Sequence, residues 1–368
     1  MRIALVAEDY YPQLGGVPEH VHHLALELNG RGHEAVVISS RMRGQHRDAR
    51  FVHRIGTSLV VYANGGVSRV TVGWRLRRQL SEFFRAGRFD VVHVHGGLAP
   101  TFGLVAPLAA WDANVPVIAT FHSWFPRSVG YRLFRHPLQL MLDRHAAAIA
   151  VSAPVVDALE RYFQADWEII PNGVDVSFFQ PNGRRPEHAL ADRPRLLFLA
   201  RLEPRNGLGT LLRAMPHILA RYPTAELRVA GDGPWRRYYE RQAAPLGASV
   251  RFLGRVFEDR PALYGSADLY LCPTTRASFG VTLLEAMACG TPMVLADNVG
   301  FRSVVSDRAE AVFLPGDDPI AWAETAIALI GDPERRRSMS AAGLAKAATF
   351  SWPRITDRVL GVYERIAQ

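Results

Sequence analysis

The chain has 368 residues, of which 48% are hydrophobic and 21% are charged, with 30 glycines and 24 prolines. This length favours two domains, and the composition excludes a mainly disordered, collagen-like or coiled-coil chain. The net charge is +8, and 42 of the 43 basic residues are arginine, which predicts an acidic partner: nucleic acid, an anionic membrane or a phosphorylated ligand.

The cellular compartment is indicated by what the sequence lacks. No apolar run approaches the roughly 20 residues that a membrane-spanning helix needs, and the acidic residues close to Met1 argue against a signal peptide. Cys272 and Cys289 are too few for a disulfide framework and are expected to be buried thiols. We therefore expect a cytoplasmic protein.

In the first half, short β-branched runs alternate with helical patterns. After the first run, Val21, Leu24, Ala25 and Leu28 recur at the spacing of one helix face. Several runs are continuously apolar, as strands covered on both faces of a parallel sheet must be. The predicted strands are residues 3–7, 35–39, 51–56, 90–96, 115–122, 146–152 and 167–172.

The loop after the first predicted strand contains Gly15 and Gly16 and leads directly into a helix. Two glycines allow backbone N–H groups to approach a ligand closely, and a helix N-terminus favours an anion. The alternative is a tight turn without a ligand. The spacing is not GxGxxG, so a dinucleotide site is poorly supported.

Residues 74–88 are predicted to form an amphipathic helix with an arginine-rich polar face. Aromatic residues opposite arginines suit a helix lying on anionic lipid. The alternative is a surface helix that packs its apolar stripe on its own domain. The candidate membrane residues are Trp74, Arg75, Arg77, Arg78, Phe83 and Arg85.

His122 ends the predicted strand 115–122, at the edge where open α/β sheets bind ligands. A neutral imidazole there suits a hydrogen bond to a hydroxyl or an acid–base role, and the alternative is a structural histidine. Three further histidines, His20, His22 and His23, lie on the first predicted helix, but their spacing lacks matching Cys or Asp ligands. The sequence also has no Asp-x-Asp metal-binding motif. No metal site is predicted.

Residues 180–194 lose the alternation and gather Pro, Gly and charge, which predicts a linker. The alternation then restarts, so we predict two doubly wound, Rossmann-like α/β domains facing a cleft. The expected domains are 1–179 and 195–350, with a terminal helix at 351–368. The predicted strands of the second half are 195–202, 225–233, 250–256, 267–273, 292–297 and 311–315.

Two further loops follow buried strands in the second half. Arg201 comes directly after the first of these strands, where it either meets an anion or forms a surface salt bridge. The loop 278–280 opens a helix whose first N–H groups, at Gly280 and Val281, would point at an anion. Glu285 lies inside that helix, spaced to reach hydroxyls attached to the anion; the alternative is a paired carboxylate.

These loops, together with PNGVD at 171–175, resemble the retaining nucleotide-sugar glycosyltransferases of family 4, which have the GT-B fold. The pattern is most similar to the phosphatidylinositol mannosyltransferases that use GDP-mannose. That likeness rests on the first 34 residues and on ANGGVSR, RFDVVHVH and ATFHS, at 63–69, 88–95 and 119–123. The resemblance also implies that the terminal helix crosses back to the first domain.

The resemblance implies roles for individual residues. Gly16 and Arg201 would bind the donor diphosphate, Glu285 the ribose hydroxyls, and His122 the transferred sugar. The backbone of Gly254, Arg255 and Val256 would hold the base. Catalytic candidates are His122, Arg201 and Gly16; donor-binding candidates are Gly15, Gly16, Arg201, Arg205, Asn206, Gly254, Val256, Ser278, Phe279, Gly280, Val281 and Glu285; acceptor-binding candidates are Tyr10, Asn64, Gly65 and Arg69.

Two positions depart from the family pattern. The Glu-x7-Glu motif has Ala277 in place of its first glutamate, eight residues before Glu285. The phosphate-binding Arg…Lys pair has Asn206 in place of the lysine, with Arg205 beside it. Loss of one charged donor to a transition-state phosphate commonly costs a few kcal/mol. Both changes together raise the hypothesis of reduced or lost activity.

The expected function is transfer of a hexose, with mannose from GDP-mannose favoured, to a membrane lipid such as phosphatidylinositol. The expected partners are a nucleotide sugar and an anionic phospholipid surface at the inner face of the plasma membrane. No cofactor is required by the sequence, although a divalent metal is not excluded. The alternatives are another nucleotide sugar with a polysaccharide or glycolipid product, or a non-catalytic nucleotide-sugar- or lipid-binding protein. Nucleic-acid binding lacks any supporting motif.

Overall fold

The computed structural model describes residues 1–13, 15–42, 48–63, 66–181, 193–305 and 309–367. The chain forms two compact units. Unit 1 comprises Met1–Gly173 and Trp352–Gln368, and unit 2 comprises Val174–Ser351. Most of the predicted linker lies outside the described residues.

The described part of unit 1 contains one sheet. Its strands are β1 (Arg2–Ala7), β2 (Glu34–Arg41), β3 (Val52–Ala63), β4 (Gly66–Val72), β5 (Val91–His95), β6 (Val117–Phe121), β7 (Ala147–Ala150) and β8 (Trp167–Ile169). Their order is β4-β3-β2-β1-β5-β6-β7-β8. Neighbouring strands are parallel except β3 and β4, which are antiparallel.

Helices cover both faces of this sheet. They are α1 (Gly16–Gly30), α2 (Leu76–Gly87), α3 (Phe102–Asp112), α4 (Val129–Leu133), α5 (Arg135–Leu142) and α6 (Ala153–Glu160), and the terminal helix is α14 (Trp352–Ala367). One core lies between the sheet and α1 with α14, and a second lies between the sheet and α2 with α3. The terminal helix packs on α1 through Trp352, Ile355, Val359 and Tyr363, which follow a helical period.

Unit 2 is a parallel sheet in its described residues. Its strands are β9 (Arg195–Leu199), β10 (Glu226–Ala230), β11 (Val250–Gly254), β12 (Leu269–Cys272), β13 (Met293–Ala296) and β14 (Ala311–Leu314). The order β11-β10-β9-β12-β13-β14 reverses direction next to β9. In such sheets the ligand site lies at the carboxyl ends of the strands beside that reversal.

The helices of unit 2 enclose a core rich in Leu and Ala side chains. They are α7 (Leu208–Arg221), α8 (Arg236–Ala243), α9 (Arg260–Gly265), α10 (Val281–Ala288), α11 (Val299–Arg302), α12 (Pro319–Ile330) and α13 (Pro333–Thr349). Short 3-10 turns occupy Pro204–Asn206 and Ala244–Ser249. None of the helices described in either unit has the length and hydropathy to cross a bilayer.

The predicted strands are all present, and the parallel α/β class is confirmed in both units. The sequence reading missed β4 and ended β3 at residue 56, whereas β3 runs to Ala63. Gly56, Thr57 and Ser58 interrupt the apolar character of β3, and polar residues interrupt that of β4, so neither strand is one continuously apolar run.

Candidate functional site

Three histidines come together at the carboxyl ends of the central strands of unit 1. His95 ends β5, His122 follows β6, and His20 lies on α1. One ring nitrogen from each lies within 4.8 Å of the others. His95 Nδ1 and His122 Nε2 are 3.2 Å apart, and His20 Nδ1 lies 2.9 Å from Asn172 Oδ1. Sequence spacing alone had not brought these residues together.

These imidazoles are neutral. Burial lowers the pKa of His20 to about 4, and the hydrogen bond to Asn172 opposes that shift only in part. Burial and the neighbouring histidines hold the pKa values of His95 and His122 well below their usual range. Behind them, His93 Nδ1 lies 2.6 Å from Tyr363 Oη of α14, and burial lowers the His93 pKa to about 3. The cluster is a hydrogen-bonded set of uncharged rings.

The same cluster has the nitrogens that a zinc ion would require, but its contacts fit a hydrogen-bonded chain better. His95 and His122 face each other, and His20 is engaged by Asn172. The group contains no carboxylate or thiolate among the described residues that could act as a ligand. The buried Nε2 of His95 has no partner in the described part of the chain. His122 is only half-buried, so it remains available to a ligand.

The Gly15–Gly16 loop is exposed. Gly16 begins α1, and Gly15 has no neighbour closer than Pro18 Cδ to the position of an added Cβ. Pro18 contributes no N–H, so the open donors of the first turn are those of Gly16 and Val17. Glu19 lies in the same turn and pairs with His23 at 3.5 Å. The loop is therefore accessible to an anion.

Glu8, which the sequence analysis did not single out, organises a corner beside this loop. Its carboxylate accepts hydrogen bonds from the hydroxyls of Thr71 and Thr101 and from the Phe102 N–H at 2.6 Å. Burial raises the pKa of Glu8, and these three hydrogen bonds partly oppose that effect. Glu8 thereby joins the end of β1 to β4 and to the start of α3. An acid directly after a buried strand was the available signal.

The residues predicted to bind the acceptor lie in different surroundings. Asn64 and Gly65 lie outside the described residues. Arg69, on β4, lies 3.7 Å from Asp9 and donates to Ser58 at 3.3 Å. Tyr10 is 3% exposed, and its hydroxyl is hydrogen-bonded to His22 Nδ1 at 2.8 Å. Tyr10 is therefore a core residue of unit 1, whereas Arg69 presents charge at the sheet edge.

In unit 2, one buried carboxylate anchors two arginines. The Glu203 side chain is 5% exposed, whereas those of Arg201 and Arg205 are 48% and 44% exposed. Arg205 Nε donates to Glu203 at 3.0 Å, and Arg201 Nη2 forms an ion pair with the other carboxylate oxygen at 3.0 Å. The arrangement fixes two half-exposed guanidinium groups at the carboxyl end of β9. Sequence reasoning had missed Glu203.

Asn206 holds the same loop together. Its Nδ2 donates to the Arg201 carbonyl at 2.7 Å, and its Oδ1 accepts from Thr274 at 3.4 Å. Asn206 is 8% exposed. The amide side chain of Asn206 is therefore used inside the unit, and its contact with the donor stays a prediction.

Loop 231–233 packs against the Arg201 loop at this edge. A Cβ at Gly231 would collide with the Ala200 carbonyl, and one at Gly233 would lie 2.6 Å from the Leu202 carbonyl. Gly231 also donates to the Gly254 carbonyl at 2.7 Å. The glycines therefore bring the predicted base-binding segment 254–256 close to the arginine pair. Arg255 within that segment pairs with Asp232 at 3.5 Å.

The loop before α10 is tightly constrained. Gly280 has φ 155°, and an added Cβ would lie 2.9 Å from Leu283 Cδ1. Gly300 of α11 packs directly on the backbone of Ala277. Phe279 is buried and contacts Phe350, so its side chain belongs to the core. The N–H groups of Gly280 and Val281 at the start of α10 can meet a ligand, and Ser278 beside them is half-buried.

Glu285 is 2% exposed and already has partners. Arg260 Nη1 donates to Oε1 at 2.6 Å, and Tyr264 Oη donates to Oε2 at 3.0 Å. Burial of the phenol, with the nearby carboxylate, raises the Tyr264 pKa well above its usual value. A ribose at this position would have to share the Glu285 carboxylate with Arg260 and Tyr264.

Helix α2 is amphipathic, but its apolar face is not free. Leu76, Leu80 and Phe84 are at most 7% exposed and form part of the core shared with α3. The domain itself covers this stripe, which favours the alternative of a surface helix packed on its own domain. The membrane role of Trp74, Arg75, Arg77, Arg78, Phe83 and Arg85 stays a prediction. Phe83 is half-buried, and Trp74, just before the helix, is 83% exposed.

The arginines of α2 are mostly paired. Arg77 donates two 2.7 Å hydrogen bonds to Asp112, and Arg85 donates to the Asp112 carbonyl. Arg78 pairs with Glu82 at 2.7 Å. Arg75 precedes the helix in a left-handed conformation, with φ 56°. The helix presents a basic but largely neutralised surface.

Comparisons with known proteins agree along the whole chain. Residues 14–178 match the family model described as Glycosyltransferase Family 4, and residues 193–332 match Glycosyl transferases group 1. A phosphatidyl-myo-inositol mannosyltransferase of Mycobacterium tuberculosis is 33% identical over 378 aligned residues, covering 100% of this chain and 97% of the relative. The chain belongs to glycosyltransferase family 4.

Further similarities support this family assignment. A Mycolicibacterium smegmatis protein named GDP-mannose-dependent alpha-(1-6)-phosphatidylinositol monomannoside mannosyltransferase is 28% identical, covering 92% of each chain. The crystal structure of Anabaena HepE with UDP and glucose superposes with a TM-score of 0.78 at 18% identity, covering 99% of each chain. The fold is therefore GT-B, and the chain is a hexosyltransferase of family 4.

The two departures from the family-4 pattern have different surroundings. At Asn206 the missing lysine is replaced by a buried amide that bonds within unit 2. At Ala277 the missing glutamate leaves a half-buried methyl group beside Gly300. Beside the first departure, Arg205 is held by the buried Glu203 carboxylate. The structure offers no replacement for the carboxylate at Ala277 from the loop itself.

Proposed function

We propose that this chain is a retaining mannosyltransferase that uses GDP-mannose as donor and a phosphatidylinositol lipid as acceptor. Support for the acceptor comes from the full-length relative named as a phosphatidyl-myo-inositol mannosyltransferase. Support for the donor comes from the second relative, which is named GDP-mannose-dependent. The proposed substrates are taken from the similarity to these two relatives, and the proposed chemistry is argued from the described side chains.

The observation that carries the chemistry is the arginine pair held by Glu203. A nucleoside diphosphate leaves readily once fixed donors meet its charge. Arg201 and Arg205 are half-exposed, and each is oriented by the same buried carboxylate, so little reorganisation is needed when a diphosphate binds. Their two charges would also supply the compensation that a divalent metal provides at other phosphate sites.

Backbone groups complete the proposed donor site. The N–H groups of Gly280 and Val281 begin α10 and would bind phosphate and sugar oxygens. Gly16 would give its N–H to a donor phosphate from the start of α1. The backbone of segment 254–256 would hold the base. Glu285, positioned by Arg260 and Tyr264, would take the ribose hydroxyls.

Bond formation would occur on the face from which the nucleotide leaves. The acceptor hydroxyl attacks the anomeric carbon as the bond to the diphosphate breaks, and the departing phosphate oxygen takes the acceptor proton. His122 would hydrogen-bond to the sugar as a neutral imidazole, since burial keeps its pKa well below the usual range. The proposal contains no glycosidase-type carboxylate pair.

The acceptor would be presented from a bilayer. Arg69 carries positive charge at the sheet edge, where a lipid phosphate would be met. We place the reaction at the inner face of the plasma membrane, with the chain bound peripherally. Arg75 and Trp74, which are exposed before α2, would contribute to that contact.

The test is a product assay with purified protein. Vesicles containing phosphatidylinositol are incubated with GDP-mannose, UDP-glucose or UDP-N-acetylglucosamine, and lipids are analysed by mass spectrometry alongside nucleotide release. The proposal predicts a hexosylated phosphatidylinositol with GDP-mannose, retained in the presence of EDTA. Arg201→Ala should lose most of the product, because it removes one of the two anchored charges.

Other outcomes separate the alternatives. Product from another donor alone would support a different family-4 transferase. GDP-mannose binding without transfer to any acceptor would support a non-catalytic nucleotide-sugar-binding protein. Either result would overturn the proposed mannosyl transfer.

A further inference from the structure

An exposed apolar face lies on the segment that follows His122. Helices α4 and α5 present Val129, Leu133, Phe134 and Leu140, which are 70%, 73%, 55% and 54% exposed. We call these four residues the 129–140 face. Helix α4 has no buried residue, and its two apolar ends, Val129 and Leu133, are four positions apart and share one side. A cluster of this kind on a chain surface marks an interaction site.

Contacts on the opposite side of the segment attach it to unit 1 and so keep this face directed outward. The ring of Tyr131 packs against Phe163 and Phe125, with centroids 5.0 and 5.4 Å away. Arg135 Nε donates to the Tyr162 carbonyl at 2.8 Å, and Gln139 donates to the Gln164 carbonyl at 2.8 Å. The apolar side chains therefore point away from the unit because the polar and aromatic ones tie the segment to it.

The segment that carries the face is positively charged, and Asp143 directly after it is hydrogen-bonded to Gln139. Residues 123–142 contain three arginines and no acidic residue. Arg127 and Arg132 form no ion pair with any residue the structure describes. Together with Arg161, they line an open groove of about 680 Å³ at the edge of the face. Arg161 is oriented by a 2.6 Å hydrogen bond to the Pro126 carbonyl.

The 129–140 face differs from α2 in the exposure of its apolar side chains and in the pairing of its arginines. The apolar stripe of α2 is buried against α3, and its Arg77, Arg78 and Arg85 are bonded to Asp112 or Glu82. On α4 and α5 the apolar side chains are exposed, and the nearby Arg127 and Arg132 have no ion pair among the described residues. Insertion of apolar side chains beside free cations is the requirement for an interfacial helix on anionic lipid.

We propose that the 129–140 face is the membrane-docking surface of this chain, with its apolar side chains at the acyl boundary of an anionic bilayer and the Arg127–Arg132–Arg161 groove on lipid phosphates. The inference rests on the proposed function in that a lipid acceptor requires such a surface. Because the segment begins directly after His122, docking there brings the bilayer to the carboxyl edge of β6. The occupant is a phospholipid surface, since charge complementarity favours anionic head groups over a second, equally basic copy of the chain.

An environment-sensitive fluorophore at single cysteines tests the surface directly. Both native cysteines are buried, so Leu133→Cys can be labelled selectively. The matched control is Glu34→Cys, exposed at the amino end of β2, and Trp74→Cys reports separately on the contact proposed before α2. With phosphatidylglycerol vesicles, the probe at 133 should shift to the blue, whereas the probe at 34 should not.

Side-chain removal gives a second, independent readout. Arg127→Ser with Arg132→Ser should weaken vesicle binding about 25-fold, or about fivefold per arginine. Leu133→Ser with Phe134→Ser should weaken it on the order of tenfold or more. Ile320→Ser and Arg337→Ser, at exposed sites of unit 2, are the controls and should leave binding unchanged. Unfolding midpoints of all variants should match wild type, since the altered side chains are largely exposed.

Several results would overturn the inference. A shift at residue 74 without one at residue 133 would assign docking to α2. A concentration-dependent shift at 133 without vesicles would assign the face to self-association, and absence of vesicle binding would remove the docking surface altogether. Mannosyl transfer to phosphatidylinositol in detergent micelles is measured in parallel. Transfer in micelles without a shift at 133 would reject this inference while leaving the proposed function intact.

Discussion

Arg205 donates a 3.0 Å hydrogen bond from Nε to the buried carboxylate of Glu203. The same carboxylate faces Arg201, so a single acid orients both guanidinium groups of the loop after β9. This relationship makes Glu203 a positioning residue for the positive charge that the proposed chemistry requires.

Glu203→Gln should therefore impair transfer without abolishing folding. The neutral amide no longer holds two cations in place, and misplacement of binding groups costs on the order of 10- to 100-fold in rate. We expect lower kcat/KM for GDP-mannose, with most of the loss in kcat. The matched control is Glu240→Gln, which breaks the exposed pair between Glu240 and Arg236. Equal effects of the two substitutions would contradict the role of Glu203.

Ala277→Glu tests whether the site lacks a sugar contact. Ala277 is half-buried at the loop before α10, so a longer side chain has an exit to solvent. If the family-4 carboxylate at this position contacts the donor sugar, its restoration should lower the KM for GDP-mannose several-fold. Ala277→Gln, which introduces a side chain of similar size without the charge, shows whether the effect depends on the carboxylate charge. An unchanged or higher KM would show that the site is adapted to work without the glutamate.

Asn206→Lys should not have the same restoring effect. The substitution removes the hydrogen bonds to the Arg201 carbonyl and Thr274 and places an ammonium at a position that is 8% exposed. We expect a loss of about 1–3 kcal/mol in the free energy of unfolding, measured in urea, and no gain in kcat. A variant with higher kcat and native stability would show that the loop accepts the family's lysine.

Gly280→Ala tests the loop before α10. The φ of 155° and the 2.9 Å approach of an added Cβ to Leu283 make alanine strained there. We expect a loss of about 1–3 kcal/mol in stability and weaker nucleotide binding, read by thermal unfolding with and without GDP. Gly30→Ala is the control, because nothing lies within 4 Å of its added Cβ. Equal stability of both variants would contradict the strain.

The histidine cluster predicts acid sensitivity. The folded pKa of His93 is about 3 and that of His20 is about 4, whereas the unfolded value is about 6.5. The unfolded chain therefore binds more protons between these values, so stability falls as pH drops below about 6.5. At pH 5 each such histidine contributes a loss of about 2 kcal/mol. Urea unfolding at pH 7 and pH 5 measures this loss, and His93→Gln should reduce its size.

Most strands of the fold could be predicted because their sequence pattern is distinctive. Buried parallel strands read as continuous apolar runs, and every predicted run became a strand. The predicted β3 was too short and β4 was missed because polar residues interrupt both strands of this antiparallel hairpin. The packing of Leu80 and Phe84 against α3 also depends on a neighbour that periodicity cannot reveal.

The site was less predictable because its groups are distant in sequence. Glu8 meets Thr71 and Thr101 only in the folded unit, and His20 meets His95 and His122 only where three elements end. Glu203 was within the recognised loop, but its burial is what gives it a role. Arg201, Gly280 and Glu285 were found because loops after parallel strands carry ligand contacts in this class of fold.

The most direct measurement is competition between donors at a single acceptor. Isotopically labelled GDP-mannose and unlabelled UDP-glucose are supplied together with phosphatidylinositol vesicles, and product lipids are analysed by mass spectrometry. The account predicts labelled mannosyl-phosphatidylinositol with wild type and a large loss of that product with Glu203→Gln. Unlabelled product, or no hexosylated phosphatidylinositol from a protein that binds both nucleotides, would contradict it.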